Sequence, residues 1–158
     1  MIRAVLTAAA AAAENAKSET QRACCVYARA LLTDLYGSHV TGKAPLAMWH
    51  LFAEVAQAHP FAPVEAAEQC GIAGLRRRVT ADHPYPGEVL LIQGWRGKPN
   101  APGVTGHTFV WIATDERHGC QIDSVITRAP AVRFRKWTDV AAEFPEAMTV
   151  PLKPPHAL

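Results

Sequence analysis

The apolar periodicity of this chain changes once, near Arg76, and that change limits the folds open to it. Upstream, apolar residues recur every three to four positions, the spacing of helices that bury one face. Downstream, short β-rich runs are bounded by Pro and Gly. Helices first and strands afterwards predict an α+β architecture, because a parallel α/β sheet requires the two to alternate. The chain has 158 residues, 49% apolar and 19% charged, enough for one domain over residues 1–158 with an ordinary core.

The best-defined helix runs from Gln21 to Gly37. Cys24, Tyr27, Ala28, Leu31 and Leu35 share one face, and Arg22, Arg29 and Thr33 lie opposite. This wheel points Cys24 at the core and puts Cys25 on the flank beside Leu32, so the two sulfurs are expected to point apart. Ser18, followed three residues later by Gln21, forms a capping box, and Gly37 is a natural C-cap. Before it, Arg3 and a run of alanines are similar to a short secretion signal. Alanine's high helix propensity and weak hydrophobic drive instead predict a surface helix over Met1–Ala13. Pro45 opens a second helix with Leu46, Trp49, Phe52 and Val55 at helical spacing, and Pro63 a third that stops at Gly71. His50 and His59 read as surface or edge residues. No stretch approaches the roughly 20 apolar residues of a membrane span.

Five strands are predicted, at Glu88–Gln93, His107–Ala113, Cys120–Thr127, Val132–Lys136 and Met148–Leu152, with a helix near Thr138–Phe144 before the last. The connection Gly94–Gly106 is long for a hairpin and ends on His107, which makes it a candidate lip of a cleft. Net charge is only +2 and the charges are interspersed, which argues against a nucleic-acid surface; Arg76, Arg77 and Arg78 read as a solvated edge before a strand. Four cysteines and seven histidines show neither C-x-x-C nor H-x-x-x-H spacing, so no metal or other cofactor is expected. A Cys70–Cys120 disulfide is left open.

A thiol in the first turns of a helix feels the positive end of the helix dipole, which favours the reactive thiolate. Thiolate catalysis also needs an imidazole and a polar group to orient it. His107 starts one strand after Gly106, and Asp123 lies on the next, where cross-strand neighbours sit about 5 Å apart. Ser124 is the alternative third member, since successive strand residues face opposite sides.

In that order, ACCVYA with Cys24, PGEVLLI from Pro86, GHTFVWI with His107 and QIDSV with Asp123 resemble the papain-like cell-wall hydrolases of the NlpC and CHAP type. Tyr27, three residues after Cys24, is similar to the aromatic that follows the CHAP cysteine, which favours Cys24 over Cys25. The resemblance spans roughly Thr20 to Val125. It implies a papain-like fold, with N-terminal helices packed on a C-terminal antiparallel sheet of about five strands. It also implies a Cys24, His107, Asp123 triad that cleaves an amide of peptidoglycan, either within the stem peptide or between peptide and sugar. Two departures stand out: Ala23 precedes the cysteine and Cys25 follows it, where the families place other residues. Gln21 lies one turn too early to serve the oxyanion, so the backbone N–H of Cys24 is the expected donor. A small member of this kind fits a delivered antibacterial effector or a phage-associated lysin. Such a protein is made in the cytoplasm, acts in the periplasm or cell wall, and has an immunity or delivery protein as partner. The same triad also fits an acyltransferase or deamidase acting on protein or lipid. A non-enzymatic adaptor or immunity-type protein would instead use Cys24 as packing.

Overall fold

The computed structural model describes residues 2–36, 76–77, 84, 86–98, 101–145 and 147–152. The expected helices after Pro45 and Pro63, the Gly37 cap and Cys70 lie outside them. In chain order the elements are α1 (Ile2–Asn15), α2 (Glu19–Arg22), α3 (Cys24–Tyr36), β1 (Arg76–Arg77), β2 (Val89–Trp95), β3 (Gly106–Ala113), β4 (His118–Val125), β5 (Arg128–Lys136), α4 (Trp137–Glu143) and β6 (Met148–Leu152). The strands form one antiparallel sheet in the order β1-β6-β2-β3-β4-β5. Helices lead and strands follow, so the fold is α+β. All five predicted strands are present, and Arg76 and Arg77 add a two-residue strand against β6.

Both faces of the central strands are covered, which is why β2 is buried at every position and β3 at all but its first. On one face Val89, Leu91, Val110, Ile112 and Ile122 pack against α1 and α3 through Val5, Ala9, Tyr27, Leu31 and Leu35. On the other, Leu90, Ile92, Phe109 and Trp111 meet Trp137, Val140 and Phe144 of the α4 region. Each fully buried leucine contributes about 1.5–3 kcal/mol, so α3, with Leu31 and Leu32 at 0% exposure, is firmly held on the sheet.

Three expectations are corrected. The N-terminal helix is not merely superficial: Val5, Ala9 and Ala12 are buried, and the Tyr27 hydroxyl donates to the Ala9 carbonyl at 2.9 Å. Small alanines let the two helices approach closely. The cysteine helix is not continuous from Gln21, because the capping box at Ser18 starts only the single turn of α2. Ala23 then adopts extended geometry (φ −55°, ψ 137°), and α3 begins anew at Cys24. Alanine has no local reason to break a helix. The break serves the packing of α3 on the sheet, a cause that lies elsewhere in the chain. The third correction concerns the two sulfurs and is taken up with the site. Cys120 is a free thiol, and Cys70, the other half of the disulfide left open, lies outside the described residues.

Candidate active site

Restarting at Cys24 makes it the first residue of a 13-residue helix, whose first internal hydrogen bond runs from Tyr27 N–H to Ala23 C=O. The backbone N–H groups of Cys24, Cys25 and Val26 have no acceptor within α3 and form its electropositive end. The first turn does not follow the wheel: Cys25 is buried on Thr108 (Sγ to Oγ1 3.6 Å), while Cys24 is only half-buried. The two thiols are close enough to act on each other's ionisation rather than pointing apart.

His107 reaches Cys24 through an opening between strands. Strand β3 pairs with β4 only from Val110 to Ala113, and a bulge between Asp123 and Val125 loosens β4 where the two strands part. Cys24 lies close enough to His107 and to the Thr108 N–H for both to act on its thiol. Thr108 faces α3 and His107 faces the α4 side, stacked on Phe144 with centroids 6.3 Å apart. A helix on one face of a closed ladder could not touch a histidine on the other.

His107 Nε2 donates to Asp123 Oδ2 at 2.7 Å, which leaves Nδ1 as the ring nitrogen for Cys24. Asp123 is 1% exposed and receives three further donors: Gln121 Nε2 at 2.8 Å, Arg133 Nη2 at 3.1 Å and, on its other oxygen, Arg128 Nη2 at 3.1 Å. Three donors converge on Oδ2 and one holds Oδ1, so both carboxylate oxygens are engaged and the orientation is fixed. The support extends outward. Gln121 Oε1 accepts from Arg135 Nη1 at 2.7 Å, Arg135 also meets Glu143, and Arg96 bonds Glu143 while lying over the Phe144 ring. Gly94, the register partner of His107, is required here, because a Cβ would come within 2.5 Å of Phe144 Cδ1. Ser124 faces away from His107, and its Oγ has no hydrogen-bond partner among the described residues. Gln21 is occupied in its cap, its Oε1 accepting from the Lys17 and Ser18 N–H groups.

The electrostatics follow from these contacts. The hydrogen bond from Cys25 is the largest influence on the Cys24 thiol; burial opposes it, and His107 and the Thr108 N–H help bring the pKa down to about 4. Burial works against the His107 imidazolium, but Asp123 and the Cys24 sulfur outweigh it and hold the ring above its ordinary value. Burial likewise opposes the Asp123 carboxylate, yet His107, Gln121 and Arg133 keep it well below the usual range. The Cys25 thiol is pushed far up by its hydrogen bond to Cys24 and by burial. Both shifts favour a Cys24 thiolate beside a His107 imidazolium.

The three residues singled out in the sequence, Cys24, His107 and Asp123, thus lie side by side, and Asp123 rather than Ser124 meets the ring. Sequence reasoning missed Thr108, Gln93, Gln121, Arg128 and Arg133. Two of these carried a signal: Gln93 and Gln121 are amides inside otherwise apolar strands, and a buried amide needs partners. Among the described residues no group of three His, Cys, Asp or Glu side chains gathers as a metal site, and no helix is long and apolar enough to cross a membrane. The chain matches no protein-family model, no curated protein and no solved structure.

Proposed function

We propose that this chain is a papain-like, cysteine-dependent amide hydrolase whose substrate is peptidoglycan. One observation carries the reading: a half-buried cysteine at a helix start lies close enough to an imidazole to be shifted by it, and that imidazole's Nε2 lies 2.7 Å from a buried carboxylate held by three further donors. The Cys24 thiolate attacks the amide carbonyl carbon, and the developing oxyanion faces the backbone N–H groups of the first turn of α3. His107 Nδ1 then gives its proton to the leaving amine. Water attacks the thioester with His107 as base, which frees the acid and restores the pair. Asp123 holds the ring throughout by accepting from Nε2–H.

The peptidoglycan assignment is supported by the four short motifs that resemble cell-wall hydrolases, as is the role of a delivered effector or lysin met by an immunity or delivery partner. A packing role for Cys24 fits less well, because a structural thiol has no use for a charged imidazole beside it. The test is incubation of the purified protein with peptidoglycan and mass analysis of the released fragments. The parent should release fragments with new amine and carboxyl ends. Cys24→Ala should lose about 10⁴-fold or more in rate at unchanged fold. Equal release by the two proteins would exclude the cysteine mechanism.

A further inference from the structure

Cys25 takes no part in the steps above, yet its surroundings dictate where its proton lies. Gln93 Nε2 donates to the Gly94 carbonyl at 3.2 Å, and Gln93 Oε1 accepts from the Thr108 hydroxyl at 2.7 Å. A hydroxyl has one hydrogen to give. Thr108 Oγ1 therefore turns lone pairs toward Cys25 Sγ, 3.6 Å away. The other polar group acting on Cys25 is its chain neighbour, the Cys24 sulfur, which accepts when ionised. Both neighbours thus demand a donor, and Cys25 is 6% exposed, with little access to water. A thiolate at this position would face lone pairs on two sides.

We infer that Cys25 is a positioning residue: a thiol kept protonated by the Gln93–Thr108 pair, whose S–H turns from Thr108 Oγ1 to the Cys24 sulfur when that sulfur ionises. The inference rests on Cys24 being the nucleophile. Cys24 gives its proton to His107 Nδ1, so its S–H bond breaks as the N–H bond forms, and Cys25 keeps its own proton. A hydrogen bond to an ionised acceptor is roughly twice as strong as a neutral one, so the donor favours the thiolate. The other charged groups acting on the thiols are His107, on Cys24, and Arg29 of α3, whose positive charge favours an ionised Cys25 and is outweighed. Asp123 acts through His107. The adjacent cysteine that departs from the family pattern thereby becomes part of how Cys24 is activated.

The experiment is iodoacetamide alkylation of the full-length protein over a pH series, with adducts located by peptide mass spectrometry and folding checked by circular dichroism. In the parent, Cys24 labelling should be half-maximal near pH 4 and Cys25 should stay unlabelled. Removing the donor with Cys25→Ala, or with Cys25→Val if the smaller side chain unfolds the protein, should raise that midpoint by about one pH unit. This is roughly a tenfold loss of labelling rate below the midpoint. Cys25→Ser, which keeps a donor, should stay near the parent. A parent midpoint near 4 that does not move in the donor-free variants, or labelling of Cys25 alongside Cys24, overturns the inference and leaves the nucleophile assignment standing. A parent Cys24 that labels only in the ordinary thiol range overturns both.

Discussion

Along β3, residues 110–112 are paired with strands on both sides and Ala113 with β4, whereas residues 106–109 are paired with β2 alone. The closed half contains Val110, Trp111, Ile112 and Ala113, all buried, and its role is packing. The open half contains His107 and Thr108, equally buried but polar, and every contact they make is to a named partner. Burial is the same in both halves; what differs is whether a neighbouring strand fills the space. Where β4 is in register the sheet is closed and inert. Where it diverges, the start of α3 enters with a thiol, and chemistry becomes possible. Polar residues persist in the open half because each is satisfied there, at a site otherwise costly for them.

Three substitutions test this contrast. The largest effect is expected from Asp123→Asn, which removes the charge opposite the imidazolium while keeping shape. Hydrolysis by the folded protein should fall about 100- to 1000-fold, since the ring loses both its tautomer and the partner that holds it above its ordinary pKa. With His107 no longer raised, the base limb of the pH profile should move to lower pH; a full pH profile of parent and variant checks both. In the closed half, Ile112→Val removes one buried methylene-sized group from a packed face. It should cost about 0.5–1.5 kcal/mol in urea denaturation and leave the pH profile of activity in place. A changed profile would mean that the two halves are not independent. The smallest effect is expected from Ser124→Ala. Its hydroxyl is buried without a partner among the described residues, so removal should leave activity intact and stability equal or slightly higher. Loss of activity would reinstate Ser124 as an orienting group.

Much of this was legible in the sequence where the signal is local. Alternating or continuous apolar runs between turn residues marked every strand of the sheet except the two-residue β1; in β2, β3 and β4 they follow burial on two faces, whereas β5 is largely exposed. The stripe of Tyr27, Leu31 and Leu35 marked the buried side of α3 for the same reason. Cys24, His107 and Asp123 could be named because thiol, imidazole and carboxylate are the groups such chemistry needs. The orientation of Cys25 was misread because a helical wheel assumes a continuous helix seen from the side. The chain instead breaks at Ala23, and Cys25 is buried on Thr108. Arg128 and Arg133, which hold Asp123, looked like ordinary charges on an edge strand. Nothing in their local sequence distinguishes a guanidinium facing solvent from one folded back over the strand.

The sequence by itself determined the order of elements, the faces they bury and the reactive groups available, because these depend on spacing within a few residues. The tertiary structure alone decided where β4 leaves β3, where the helix restarts, and which of two adjacent thiols ionises. Those outcomes turn on contacts such as Cys25 to Thr108, between residues 83 positions apart. A thiol's proton goes where the donors and acceptors around it require, and for Cys24 and Cys25 those neighbours are supplied by strands far along the chain.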